Sequence, residues 1–147
     1  MAIAADIERT LAILKPDAVR RGLVGEIVTR FERKGMRIVG MKLIQIDRPL
    51  AERHYAEHKG KPFYESLVDF MCAEPSVILC LEGRNAVSLL RMIMGATNPL
   101  QAVPGSIRGD YCFHMTYNLV HGSDCLETAE REIALFFSPE ELVTYPD

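Results

Sequence analysis

Apolar positions along the chain fall into short runs and helical stripes that alternate from one end to the other. Thr10-Leu11-Ala12-Ile13-Leu14-Lys15 is a continuous run ended by Pro16, whose ring drives the preceding residue into extended backbone. It predicts a buried strand with Lys15 at its exit. From Leu23 to Lys34, Val24, Ile27, Val28 and Phe31 recur at helical spacing, charged residues fill the other face, and Gly35 follows. That is the pattern of an amphipathic helix with a glycine stop.

Arg37–Ile46 is rich in β-branched and apolar residues and reads as a second strand, ending before Asp47-Arg48-Pro49. Two short helical stretches follow, Leu50–His58 and Pro62–Met71, the second opened by a proline at a position helices tolerate. Val77–Leu81 predicts a third strand. Asn85–Met94 carries Ala86, Val87, Leu90, Ile93 and Met94 along one stripe, closed by Gly95. Ala96 to Gly109 has no periodicity and is punctuated by Pro99, Pro104, Gly105 and Gly109; so long a loop is usually functional. Tyr111–Val120 alternates aromatic or apolar residues with smaller polar ones, as a fourth strand would. A last helix is expected from near Asp124, which with Glu127 resembles a capping box, to about Phe137.

The order β-α-β-(α-α)-β-α-β-α resembles the split βαβ pattern. The expectation is an α+β, ferredoxin-like βαββαβ sandwich: a four-stranded antiparallel sheet with helices on its face and an inserted helical pair. Such a fold would leave one sheet face to be covered by a partner, and Arg37–Ile46, apolar on both sides, reads as though both were buried.

Length and composition narrow the picture. A chain of 147 residues suits one compact domain, residues 1–147, and 48% hydrophobic with 25% charged residues is ordinary for a globular protein. The net charge of −3 argues against general affinity for nucleic acid or an anionic membrane, which needs basic surface. Any positive charge for a polyanionic ligand must therefore be local. Cys72, Cys80, Cys112 and Cys125 form no Cys-x-x-Cys pair and read as reduced, small core side chains. The amino terminus lacks a secretory pattern, and no apolar run approaches the roughly 20 residues that span a bilayer, so a cytoplasmic location is expected.

Candidate chemistry concentrates in Asn118-Leu119-Val120-His121-Gly122-Ser123-Asp124, which sets a histidine at a strand exit just before a helix. Glu132, in that helix, projects among Cys125, Ala129 and Phe136 rather than on the wet face. A carboxylate so placed needs a partner. It is either in a structural ion pair with an arginine, or bonded to one ring nitrogen of His121, fixing the tautomer and leaving the other nitrogen free to attack. Lys15, Arg91, Thr97 and Arg108 sit where elements end and are candidates to surround a phosphate, lysine as a point charge and arginine as a two-point fork. Each alone reads as a surface group; their convergence would carry the meaning. No Gly-x-x-x-x-Gly-Lys-Ser/Thr loop or glycine-rich kinase loop is present. His54-Tyr55-Ala56-Glu57-His58 matches the inverted zinc-peptidase pattern, but so short a pattern recurs often by chance and the chain is small for a peptidase.

Lys15-Pro16-Asp17, Arg21-Gly22-Leu23-Val24-Gly25, Tyr55, Pro62-Phe63, Gly95-Ala96-Thr97-Asn98-Pro99, Pro104 to Asp110 and Asn118 to Asp124 together resemble the nucleoside diphosphate kinase family. The likeness runs from about Arg9 to about Tyr145. It implies transfer of the γ-phosphate of ATP to other nucleoside diphosphates, with broad base tolerance, through a phosphohistidine on His121. By the same likeness Glu132 would orient His121, and Ser123 would support the site. Lys15 and Asn118 would contact the sugar, and Tyr55, His58, Arg91, Thr97 and Arg108 would surround the phosphates. Phe63 would stack on the base with Met115 opposite, and Mg2+ would be held mainly by the nucleotide's own phosphates. The partners implied are nucleoside di- and triphosphates and copies of the chain in a homo-oligomer, a hexamer in preference to a tetramer, with no nucleic acid and no membrane.

Departures from the family pattern are Ala96, where some relatives are acidic, Tyr117, often arginine, and an end at Asp147 short of the common eukaryotic members. A binding module is the rival class, since ferredoxin-like sheets also carry RNA-recognition domains. Those require an aromatic-rich motif on a central strand, and Val77–Leu81 has no aromatic residue.

Overall fold

The apolar run at the start of the chain forms the spine of the molecule. In a computed structural model, which describes residues 6–146, strand β1 (Ile7–Leu14) pairs antiparallel with β3 (Ser76–Arg84) on one side and with β4 (Val120–Gly122) on the other. Strand β2 (Arg37–Ile44) flanks β3, so the order is β2-β3-β1-β4, all antiparallel, as the ferredoxin-like reading expects. Pro16 ends β1 and opens helix α1 (Pro16–Arg20), a five-residue element the sequence pattern did not disclose. The helices α2 (Val24–Arg33), α3 (Arg48–His54), α4 (Tyr64–Ala73), α5 (Ala86–Met94), α6 (Ile107–Tyr111) and α7 (Leu126–Phe136) complete the fold.

Side chains alternate across a strand, and β1 uses both directions. Ala12 and Leu14 join Ile27 and Phe31 of α2 and Leu90 of α5 in one core; Leu11 and Ile13 join Ala51, Val68 and Phe136 in the other. Both sheet faces are therefore covered within the chain, by α2 and α5 on one side and by α3, α4 and α7 on the other. The expectation of a bare face awaiting a partner does not hold. The inserted helical pair supplies that cover, which is why β1 and β3 read as unbroken apolar runs. β2, at the edge, leaves Met41 and Leu43 exposed rather than burying both its faces.

Further expectations are corrected. Tyr111–Val120 is not a strand: α6 ends at Tyr111, an irregular segment follows, and pairing begins only at Val120. The alternating Phe113, Met115 and Tyr117 are 75%, 54% and 46% exposed, so their spacing records a surface rather than a buried face. The loop from Ala96 closes in helix α6, capped by Ser106, whose hydroxyl accepts from Gly109 N at 3.0 Å. The Asp124–Glu127 capping box does not form; α7 starts at Leu126 behind Cys125, which makes no side-chain cap. That position leaves Cys125 exposed, and of the four cysteines, all free thiols, only Cys80 is fully in the core.

Candidate active site

Strand β4 is three residues long and carries His121 at its centre. His121 lies opposite Ile13 in the β1–β4 register and so points to the side of α7, whereas Val120 and Gly122 point toward α5. The close approach to α5 explains the glycine: a Cβ on Gly122 would lie 2.6 Å from Met94 Sδ. On its own side His121 meets Glu132, one helical turn short of the end of α7. The Nε2 of His121 stands 3.0 and 3.1 Å from the two carboxylate oxygens, and the Ser123 hydroxyl donates to Oε1 at 2.6 Å.

Glu132 is almost fully buried. Burial alone would push its carboxyl up, but the bonds from His121 and Ser123 together outweigh it and hold the group below the usual range. An ionised Glu132 can only accept, so the ring proton sits on Nε2. In the neutral ring Nδ1 then carries the lone pair, and Nδ1 makes no hydrogen bond among the described residues.

A cleft of about 450 Å3 opens over this pair. Lys15, His58, Arg91, Thr97, Arg108 and Asn118 line it with His121 and Glu132, so the candidate phosphate and sugar groups do converge. Lys15 Nζ donates to Asn118 Oδ1 at 2.9 Å. Arg108 is deeply tied into the backbone: Nε donates to Asn118 O at 3.1 Å, Nη1 to Gly95 O at 3.0 Å, and Nη2 to Val120 O at 2.6 Å. It therefore shapes the cleft floor as much as it charges it.

The remaining candidates stand apart from the cleft wall. Tyr55 is buried with its hydroxyl unpartnered among the described residues, behind His58 at a ring separation of 6.2 Å. Phe63 is half exposed beside His58, 5.4 Å between ring centroids, and Met115 is exposed on the segment after α6. Both are at the surface, available to a flat ligand.

Sequence reasoning missed His54. Its ring packs edge-on against His121, with centroids 4.7 Å apart at 86°, and its Nδ1 is 3.5 Å from Glu132 Oε2. Burial first, and the neighbouring His121 second, push it down to about 3, so it is neutral near pH 7. The inverted zinc pattern does not assemble, because α3 ends at His54 and a tighter turn, Ala56–His58, carries His58 away to the cleft.

His54, His121 and Glu132 have ligand atoms within 4.8 Å of one another, a spacing a metal could bridge. Its two nitrogens suit a borderline metal rather than Mg2+, which demands oxygen ligands. His121 and Glu132 already satisfy each other there.

Such an arrangement, an imidazole held by a buried carboxylate in a cleft lined by three cations, can perform nucleophilic attack on an anionic centre. Fold and cleft together define an α+β protein with a carboxylate-held histidine in a cation-lined cleft. Comparison with known proteins specifies the class. The chain belongs to the nucleoside diphosphate kinase family, whose model matches residues 8–142. It is 61% identical over 142 residues to the nucleoside diphosphate kinase of Thermococcus kodakarensis, covering 95% of this chain and 82% of that protein. The Pyrococcus furiosus enzyme is 57% identical over 143 residues, with 95% and 89% covered. Among solved structures, a nucleoside diphosphate kinase from Halobacterium salinarum in complex with CDP superposes with a TM-score of 0.92 at 49% identity, covering 95% of this chain and 93% of that one. A Babesia bovis family protein gives 0.93 at 42%, with 95% of each chain covered.

Proposed function

We propose that this chain exchanges terminal phosphates between nucleotides: it takes the γ-phosphoryl group of a nucleoside triphosphate onto Nδ1 of His121 and returns it to a second nucleoside diphosphate. The observation that supports this best is the Nε2–Glu132 bond, which leaves the opposite ring nitrogen directed to a cleft lined by Lys15, Arg91 and Arg108. In the first step the N–P bond forms as the bond from phosphorus to the β–γ bridging oxygen breaks, and the diphosphate leaves. The Nε2 proton stays in place, and Glu132 balances the positive charge that develops on the ring. In the second step a terminal oxygen of the incoming diphosphate attacks the same phosphorus and His121 is regenerated.

Lys15 and Asn118 hold the sugar, His58, Arg91, Thr97 and Arg108 surround the phosphates, and buried Tyr55 stands behind the His58 ring. Phe63 and Met115 hold the base between them. Stacking without base-edge bonds accepts any base, which gives broad specificity. Mg2+ fits as an ion brought in by the nucleotide: the cleft offers cations and, of its carboxylates, Glu132 is already bonded to His121 and Ser123. When bound, the ion neutralises phosphate charge.

A homo-oligomer, hexamer or tetramer, is the state we propose in solution, supported by exposed Met41 and Leu43 at the β2 edge and by exposed Leu100, Val103 and Phe113. Among the described residues no helix is long and apolar enough to cross a membrane.

The test of this reading is turnover. Mixing ATP with a second nucleoside diphosphate should yield the second triphosphate and ADP with parallel-line kinetics, the signature of a carried group. A ternary, intersecting pattern, or no exchange, overturns it.

A pH dependence follows from Lys15. Burial, then the charge of Arg108, push its ammonium down to about 8. The group is charged below that value and neutral above it, so its attraction for nucleotide is present at pH 7 and lost as pH rises through 8. Because kcat/KM reports the free enzyme, it should fall to about a tenth of its plateau near pH 9. Lys15→Arg, charged throughout, should flatten that limb; a wild-type profile level to pH 10 would contradict the role of this charge.

A further inference from the structure

Leu119 is an unusual residue for its place. It is a bulky, fully buried side chain with φ +74°, and Val120 N donates back to Asn118 O at 2.8 Å. Those features describe a γ-turn with positive φ at its apex, a rare and strained form for any residue but glycine. It lies directly between Asn118 and His121. Strain of this kind persists only where the surroundings impose it.

The surroundings do so from both sides. Lys15 N donates to Leu119 O at 2.9 Å, and Leu119 N donates to Asp17 Oδ2 at 3.0 Å, so one short segment after β1 grips both polar groups of the apex residue. Arg108 grips the flanks through Asn118 O and Val120 O. Asp17 is an expensive choice for such a grip. Its other oxygen, Oδ1, is buried with no hydrogen-bond partner among the described residues, and burial raises the group's pKa against the pull of its own backbone bonds and of Lys15. A carboxylate kept in that position despite its cost implies a use beyond packing.

The geometry points to Asp17 as a positioning residue: its carboxylate holds the Leu119 amide in the left-handed turn, and that turn aims Asn118 and His121 into the same cleft. This rests on the exchange reading above and adds to it a residue that touches no substrate. The Asn118 side chain is at once held by Lys15 Nζ and donates to Met115 O at 2.7 Å, so a relaxed turn would shift the sugar-binding and phosphoryl-accepting groups together.

Asp17→Leu removes the acceptor at similar size, and Asp17→Asn keeps an oxygen in place. Leu119 amide hydrogen exchange, the rate of His121 phosphorylation in a single turnover, and nucleotide KM are measured in each, with circular dichroism as the check on folding. Expected for Asp17→Leu are faster exchange of the Leu119 amide, slower phosphorylation and higher KM, amounting to about a five- to tenfold loss in kcat/KM. Asp17→Asn should stay within about twofold of wild type on all three. If Asp17→Leu fails to fold, Asp17→Ala carries the same comparison. A variant without the acceptor that keeps wild-type kinetics, with only its melting temperature lowered, overturns the proposal. So does an Asp17→Asn protein as impaired as Asp17→Leu, which would make the charge rather than the bond responsible. An inactive wild type would instead overturn the exchange reading and leave the Leu119 amide as the test of the turn.

Discussion

His121→Ala is expected to abolish phosphate exchange, a fall of at least about ten-thousandfold, while nucleotide still binds. The contrast follows from a division of labour in the cleft. Lys15, Arg91, Arg108 and Asn118 line it on elements other than the imidazole itself, and the Lys15–Asn118 bond does not involve His121. Deleting the ring removes the imidazole nitrogen that the Glu132 bond leaves free. It also deprives buried Glu132 of one partner, an effect that costs stability, although the retained Ser123 bond and entry of water into the vacated space limit it. Titration of a nucleoside diphosphate by calorimetry, beside a coupled exchange assay, separates binding from chemistry. Residual exchange above the solvent rate would move the nucleophile elsewhere.

Glu132→Gln is expected to preserve the fold and to slow phosphorylation of His121 by about ten- to a hundredfold. The side chain loses no volume, so packing under α7 survives. Its chemistry changes in two ways. The neutral amide no longer offsets charge developing on the ring, and its NH2 can donate to Nε2, favouring the tautomer with the proton on Nδ1, where attack must begin. Ser123 would retain an oxygen to bond. The reading is the single-turnover rate of phosphorylation at saturating ATP, which excludes product release. An unaltered rate would show that the 3.0 Å pairing orients nothing that matters.

How far these arguments could be made from sequence differs by element. β1 and β3 were legible because both lie at the sheet centre and are apolar on both sides, so even a short run announces itself. α2 was legible because its stripe is clean, with Ile27 and Phe31 buried and charges opposite. In the stretch after α6, Phe113, Met115 and Tyr117 alternate like a strand but stand at the surface, where alternation has no core to answer to. α1 escaped notice because five residues give no period to detect.

The candidate site divides in the same manner. His121 and Glu132 were legible because a local motif and a helical stripe each flag one member, and the structure brings them within hydrogen-bonding distance. His54 was not, since its significance lies in a ring contact across 67 positions of chain, and its neighbours in sequence suggested a zinc pair instead. Asp17 belongs to the Lys15-Pro16-Asp17 motif, and residue type alone assigns it no role. Only the positive φ of Leu119, a property of the folded backbone about which residue type is silent, supplies one.

The central claim is that the group travels on His121, and labelling tests it most directly. Protein incubated with ATP labelled in its γ-phosphate, denatured and digested, should carry label in one peptide, on His121, through a bond that is lost in acid and kept in base. Label that survives acid on a serine, or no label on active wild-type protein, would contradict the account.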